Sequence, residues 1–159
     1  MNDLPYRLNV GAALFNHAGK VFIGRRTGLP PGAPETWQMP QGGIDPGEAP
    51  AKAVFRELQE EIGTAAATIL AEHPAWLTYD IPPEAARTAF RGKYRGQSQK
   101  WFALRFTGTD ADIALDRDAH PEFSDWRWAD LADLPAMVVA FKRPVYEAVA
   151  AEFARFAGE

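Results

Sequence analysis

Cysteine is absent from the 159 residues, which excludes disulfide bonds, thiolate zinc centres and a cysteine nucleophile. No apolar run approaches the roughly 20 residues that a helical membrane span requires. The opening MNDLPYRLNV lacks the basic-then-apolar pattern of a secretory leader. Repeats and low-complexity tracts are missing too. Positive charge is not in excess: the net charge of −4 argues against a general nucleic-acid binder. What is present, 47% hydrophobic and 24% charged residues, is the composition of an ordinary globular protein, and the length suits one domain over residues 1–159. The expectation is a cytoplasmic protein with neither a membrane nor an obligate protein partner.

The charges are unevenly placed. Arg87, Arg91, Lys93, Arg95 and Lys100 put five cations into fourteen residues that contain no acid, while acids gather between Glu48 and Glu61 and between Asp110 and Asp133. A basic segment near an acidic cluster suits a polyphosphate, whose charge cations of both kinds would share.

Periodicity and turn residues divide the chain into alternating elements. Leu8–Phe15 and Val21–Ile23 read as a β-hairpin around Asn16-His17-Ala18-Gly19. Residues 27–36 form a proline- and glycine-rich loop, and Trp37–Pro40 a short strand leading into a turn at Gly42-Gly43. A helix begins at Pro50 and stops at Gly63, the residue types suited to those two positions. Thr68–Ala71, Ala75–Tyr79, Lys100–Thr107 and Asp125–Trp128 read as strands, with a long connection through Pro82-Pro83 and the basic segment. Val138–Phe156 reads as a C-terminal helix, and Trp37, Trp101, Trp126 and Trp128 are assigned to the core. Strands on both sides of a central helix predict an α+β chain, a mixed sheet flanked by helices in an α/β/α sandwich.

The helix from Pro50 carries the chemistry. Ala51, Val54, Phe55, Leu58 and Ile62 form an apolar side, whereas Glu57, Glu60 and Glu61 share another face because residues three and four apart are neighbours. Crowded carboxylates repel one another, and folding gains nothing from the arrangement. A bound cation reverses the sign of that interaction, and oxygen-only ligands select a hard ion, Mg²⁺ or Mn²⁺.

Gly42, five residues, Glu48, seven residues, then Arg56-Glu57-Leu58-Gln59-Glu60-Glu61-Ile62-Gly63 resembles the signature of the Nudix hydrolases, departing only at Thr64, where that pattern has an apolar residue. Further blocks resemble the RNA pyrophosphohydrolase and bacterial diadenosine polyphosphate hydrolase branch of that family: Tyr6-Arg7-x-Asn9-Val10-Gly11, Trp37-Gln38-Met39-Pro40-Gln41-Gly42-Gly43, Gln97-x-Gln99-Lys100-Trp101-Phe102, Pro121-Glu122-Phe123 and Phe141-Lys142-Arg143. Leu8 stands where those RNA-processing enzymes often have proline, and the 27–36 loop is longer than in some of them.

The resemblance implies a Nudix fold and a metal-dependent pyrophosphohydrolase. Its substrate would be a polyphosphate nucleotide: the 5′-triphosphate end of RNA, a dinucleoside polyphosphate such as diadenosine tetraphosphate, or both. It implies that Glu57, Glu60 and Glu61 are catalytic metal ligands, helped by a backbone carbonyl near Gln41-Gly42, with Glu122 as a fourth ligand or general base. Gly42, Gly43, Glu48, Arg56 and Gly63 would support the site, Arg56 by pairing with Glu48. Arg7, Arg25, Arg26, Lys100 and Lys142 are the expected phosphate contacts, Tyr79 and Phe141 the aromatic surfaces for a base, and Gln41 a further substrate-binding residue. Two alternatives stand beside this reading: a hydrolase of free nucleotides or nucleotide sugars, and a non-catalytic Nudix-fold module that binds nucleotide or RNA.

Overall fold

The computed structural model describes residues 4–29, 32–86, 89–116 and 120–158. Arg87, one of the five cations of the basic segment, lies outside them. The hairpin forms as its turn residues dictate. Tyr6–Phe15 (β1) and Val21–Arg26 (β2) flank a turn in which the Asn16 side-chain oxygen accepts from the amides of Ala18 and Lys20, both at 3.0 Å.

Trp37–Gln38 (β3) pairs with β2, but Gln41–Gly43 is a strand, β4, rather than the expected turn. It lies antiparallel to β1, with Val10 opposite Gly42. The two glycines therefore serve close approach and not chain reversal. A Cβ on Gly42 would stand 1.9 Å from the Glu57 carboxyl carbon, and one on Gly43 would stand 2.1 Å from an Arg7 guanidinium nitrogen.

The central helix, α1, runs Pro50–Ile62, with proline in its first turn and Gly63 closing it at φ 80°, a left-handed conformation that glycine adopts without steric cost. Ala67–Glu72 (β5), Leu77–Asp80 (β6), Gly96–Phe106 (β7) and Phe123–Ala129 (β8) complete the sheet. Three short or late helices follow the chain: Pro83–Ala86 (α2), Leu134–Met137 (α3) and Arg143–Phe153 (α4). The last begins five residues after the expected Val138, because Ala140–Lys142 form a tight 3-10 turn and Pro144 takes a first-turn position.

The sheet is mixed, as expected. β1 and β7 run parallel over ten residue pairs, from Tyr6–Gly96 to Phe15–Arg105, and the other pairings are antiparallel. Two apolar layers cover it. On one face Val10, Ala12, Leu14, Phe102 and Leu104 pack under Val54, Leu58 and Ile62 of α1. On the other, Ala13, Phe15, Ile23 and Trp101 meet Tyr146, Val149 and Phe153 of α4. Trp101 is fully buried, but Trp37, Trp126 and Trp128 are only half-buried, at the margins of these layers. Trp126 stacks on buried Phe22, and Arg127 lies over the Trp37 ring, so each tryptophan keeps one face for solvent or a cation. Among the described residues, no helix is long and apolar enough to cross a membrane.

Candidate active site

At the end of the sheet where β1 separates from β2 and pairs with β4, the chain leaves a cavity of about 740 Å³. Glu57, Glu60, Glu61 and Glu122 lie on its acidic side; Arg7, Arg26 and Lys142 supply cations; Gln41, Tyr79 and Phe141 complete the expected set. Two expected contacts are elsewhere. Arg25 is bonded to Ser124 at 3.0 Å and Glu35 at 3.1 Å, and Lys100 is paired with Glu72 at 3.2 Å beneath the Trp76 ring. Strand alternation explains both: each has opposite parity to a residue that does reach the cavity, Arg26 in β2 and Gln97 in β7.

The acidic wall depends on Arg56. Its Nε and Nη2 donate to the two Glu48 oxygens at 2.8 Å each, the expected pairing, and Nη2 also donates to the Gly43 carbonyl at 2.8 Å. This fork clamps the 44–48 loop and β4 onto α1. Hydrogen bonds from Arg56, with help from the Asp45 amide, hold the Glu48 carboxyl down at about 2. Nη1 of Arg56 reaches Glu57 at 2.9 Å and Glu60 at 3.3 Å. Glu57 is nonetheless pushed up to about 7, chiefly by burial, with the Glu60 charge adding to the rise and Arg56 opposing it. Glu61 keeps part of its surface on the cavity, yet the protein around its carboxyl group desolvates it. That desolvation, reinforced by Glu57 and Glu122, raises it well above the usual carboxylate range. The Gln41 amide donates to Glu61 at 3.3 Å.

These features fit a hard divalent cation. Every donor is an oxygen, and the two innermost carboxylates are destabilised as anions by burial and by each other, which a cation would offset. The cradle over Gly42 has no room for a Cβ. Among the described residues no three acidic or histidine side chains already close on one point at metal-holding distances, Glu60 being turned toward Arg56.

Another part of the lining is a ladder of buried amides. Arg7 and Asn9 donate to Gln97 Oε1 at 3.0 and 2.7 Å, Gln97 is bonded to the Tyr79 hydroxyl, and Gln99 donates to Asn9 at 2.9 Å and to Gln41 at 2.8 Å. Trp101 Nε1 donates to Gln99 at 3.1 Å and anchors the ladder in the core. The signal was available in the alternation Gln97-x-Gln99-x-Trp101, which makes one strand face polar before it turns apolar. Lys142 is buried beside Gln38, 3.3 Å away, with Tyr79 facing it; burial, then the nearby Arg26 charge, lowers its ammonium to about 8. Arg26 Nε is buried with no hydrogen-bond partner among the described residues. Asn9, Phe90, Gln97 and His120 also line the cavity and are not among the expected site residues, although Asn9 and Gln97 fall in the blocks that carry the resemblance.

Acids and cations that share one polar cavity suit a substrate with a chain of phosphates and a divalent ion, the requirements of an enzyme that acts on phosphoric anhydrides. The comparisons agree. The NUDIX domain pattern matches residues 5–149, and the chain belongs to the Nudix family. It is 59% identical over 154 residues to the RNA pyrophosphohydrolase of Acidiphilium cryptum, covering 97% of this chain and 93% of that one. It is 56% identical over 158 residues to the RNA pyrophosphohydrolase of Gluconacetobacter diazotrophicus, covering 97% and 95%. Among solved structures it is similar to the MutT protein from Methanosarcina mazei Go1, with a TM-score of 0.64 at 19% identity over 96% of this chain and 98% of that one. It is also similar to a C. elegans Ap4A hydrolase, with a TM-score of 0.61 at 24% identity over 92% and 98%. At these identities the two structures speak for the fold alone.

Proposed function

We propose that the protein is a metal-dependent pyrophosphohydrolase that removes pyrophosphate from the 5′-triphosphate end of RNA, with dinucleoside polyphosphates such as diadenosine tetraphosphate as a second substrate class. The observation that carries this reading is the gathering, in one cavity, of Glu57, Glu61 and Glu122 with Arg7, Arg26 and Lys142. Near-full-length relatives named RNA pyrophosphohydrolases support the choice of an RNA end. A purine nucleotide joined to a polyphosphate is common to both substrates, so one cavity accommodates either. The compartment this reading implies is the cytoplasm, where triphosphorylated transcripts arise.

Glu57, Glu60, Glu61 and Glu122 hold Mg²⁺ or Mn²⁺, with a backbone carbonyl near Gln41. Such a cation supplies Lewis acidity, neutralising phosphate charge and making water a stronger nucleophile. Arg7, Arg26 and Lys142 bind the non-bridging phosphate oxygens. Water attacks phosphorus in line, its proton passes to one of the four carboxylates, and pyrophosphate leaves with the electron pair of the broken P–O bond. Tyr79 and Phe141, whose ring centroids lie 5.6 Å apart, present the aromatic surface for the terminal base. Gly42 and Gly43 keep the floor shallow, and Arg56, Glu48 and Gly63 hold the acidic helix in register.

The test is a side-by-side rate comparison, with Mg²⁺, on triphosphorylated RNA, diadenosine tetraphosphate and a nucleotide sugar. Pyrophosphate release from RNA should be fastest. Preference for the sugar, or no turnover of any of the three, would overturn the reading, the latter in favour of a binding module.

A further inference from the structure

The short turn Ala89–Gly92 holds the two non-glycine residues with positive φ among those described, Phe90 at 51° and Arg91 at 58°. A bulky side chain is unfavourable in the left-handed region, and two in succession persist only where surrounding contacts hold them there. The core does not supply those contacts, since Phe90 belongs to neither apolar layer. Its ring lines the cavity instead, edge-on to Tyr94 with centroids 6.0 Å apart, and lies over the Arg7 guanidinium at 4.7 Å.

Arg7 is thereby enclosed on three sides. Phe90 covers one side, Gln97 Oε1 accepts from Nη1 at 3.0 Å, and the glycine backbone at Gly43 leaves the gap that Nη2 fills. Among the described residues no carboxylate lies within ion-pair distance of Arg7, in contrast to Arg25, Arg56 and Arg95. An aromatic ring fixes a guanidinium without neutralising it, and by excluding water it strengthens the attraction of that charge for an anion.

We propose that Phe90 is a positioning residue of the site: through Arg7 it fixes the cation that receives the terminal phosphates of the substrate. This rests on the reading that Arg7 meets phosphate. The strained turn is the means by which a ring from the β6–β7 connection reaches the first residues of β1.

The experiment uses the full chain with Mg²⁺, measuring calorimetric binding of inorganic triphosphate and steady-state kinetics on triphosphorylated RNA. Phe90→Leu, which keeps apolar bulk but no π face, should weaken triphosphate binding and raise KM by about fivefold, with kcat within about twofold. Phe90→Tyr should restore both. On top of Arg7→Gln, Phe90→Leu should cost nothing further, since a residue that acts through another is silent once that one is gone. If Phe90→Leu fails to fold, a trifluorinated phenylalanine at position 90 retains the shape while removing the negative face, and the same loss is expected. Wild-type affinity in Phe90→Leu, or an equal loss in the Arg7→Gln background, would overturn the proposal; the second result would mean that the ring meets substrate directly. A wild-type chain that neither binds inorganic triphosphate nor hydrolyses RNA would instead overturn the functional reading itself.

Discussion

Arg25 and Arg26 are adjacent in β2, carry the same charge, and end in different worlds. Arg25 is neutralised by Glu35 and bonded to Ser124, outside the cavity. Arg26 lines the cavity, and its buried Nε has no acceptor among the described residues. The same division separates Lys142, buried beside an uncharged glutamine, from Lys100, paired with Glu72. It runs through the basic segment as well. Arg95 is bonded to Asp80 at 2.8 Å and lies over the Tyr6 ring, whereas Arg91 and Lys93 are exposed. Charge alone therefore does not nominate a phosphate contact. A cation that the fold has already neutralised contributes to stability, and one left with amide or aromatic neighbours is available to an anion.

The contrast can be broken most forcefully on its acidic side. Glu57→Gln or Glu61→Gln should lower turnover by roughly 100-fold or more, with the circular dichroism spectrum unchanged, because in the proposed mechanism each removes a metal ligand and with it several kcal/mol of charge stabilisation. Near-normal rates in both variants would remove them from the metal site. Among the cations, Arg26→Gln and Lys142→Gln should each raise KM for triphosphorylated RNA about tenfold, the worth of one charge-assisted hydrogen bond. Arg25→Gln and Lys100→Gln should stay within about twofold, and equal losses in the two pairs would end the distinction. Neutralising Arg91 and Lys93 together should weaken RNA about threefold at low salt and leave diadenosine tetraphosphate unaffected, since exposed cations act through screened, long-range attraction. A loss shared by both substrates would mean that this segment is not a track for RNA.

The smallest effect lies in acid. Glu48 has its carboxyl at about 2 in the fold and near its ordinary 4.5 when unfolded, so the folded state favours the anion. Its contribution is present above pH 4.5 and is lost as pH falls from there through about 2. The stability gap between wild type and Glu48→Gln should therefore close across that interval in urea titrations. A gap independent of pH would mean that Arg56 does not act on Glu48 through its charge.

Much of this was legible in the chain. The bounds of α1 follow from Pro50 and Gly63, and the Arg56–Glu48 pairing follows from their places in the signature. The hidden parts share a cause: side chains whose partners are remote in sequence. β7 was expected from Lys100 but starts at Gly96, because Gln97 and Gln99 read as loop until Asn9, Tyr79 and Gln41 are seen to satisfy their amides. Gly42-Gly43 read as a turn because strand propensity cannot register that a carboxylate and a guanidinium need the missing Cβ volume. Trp126 and Trp128 looked like core residues by size alone, and aromatic stacking on Phe22 satisfies them at a partly wet margin.

The parallel union of β1 and β7 sets a timetable for the enzyme's birth. Arg7 and Gln97 stand 90 positions apart, an interval that a ribosome crosses in about 5–20 s. Throughout that time the first strand waits for its long-range neighbour, and loop closure over such a span is slow. A nascent chain therefore emerges with its acidic helix made and the amide partner of Arg7 still to come, and the cavity is complete only once most of the polypeptide has been translated.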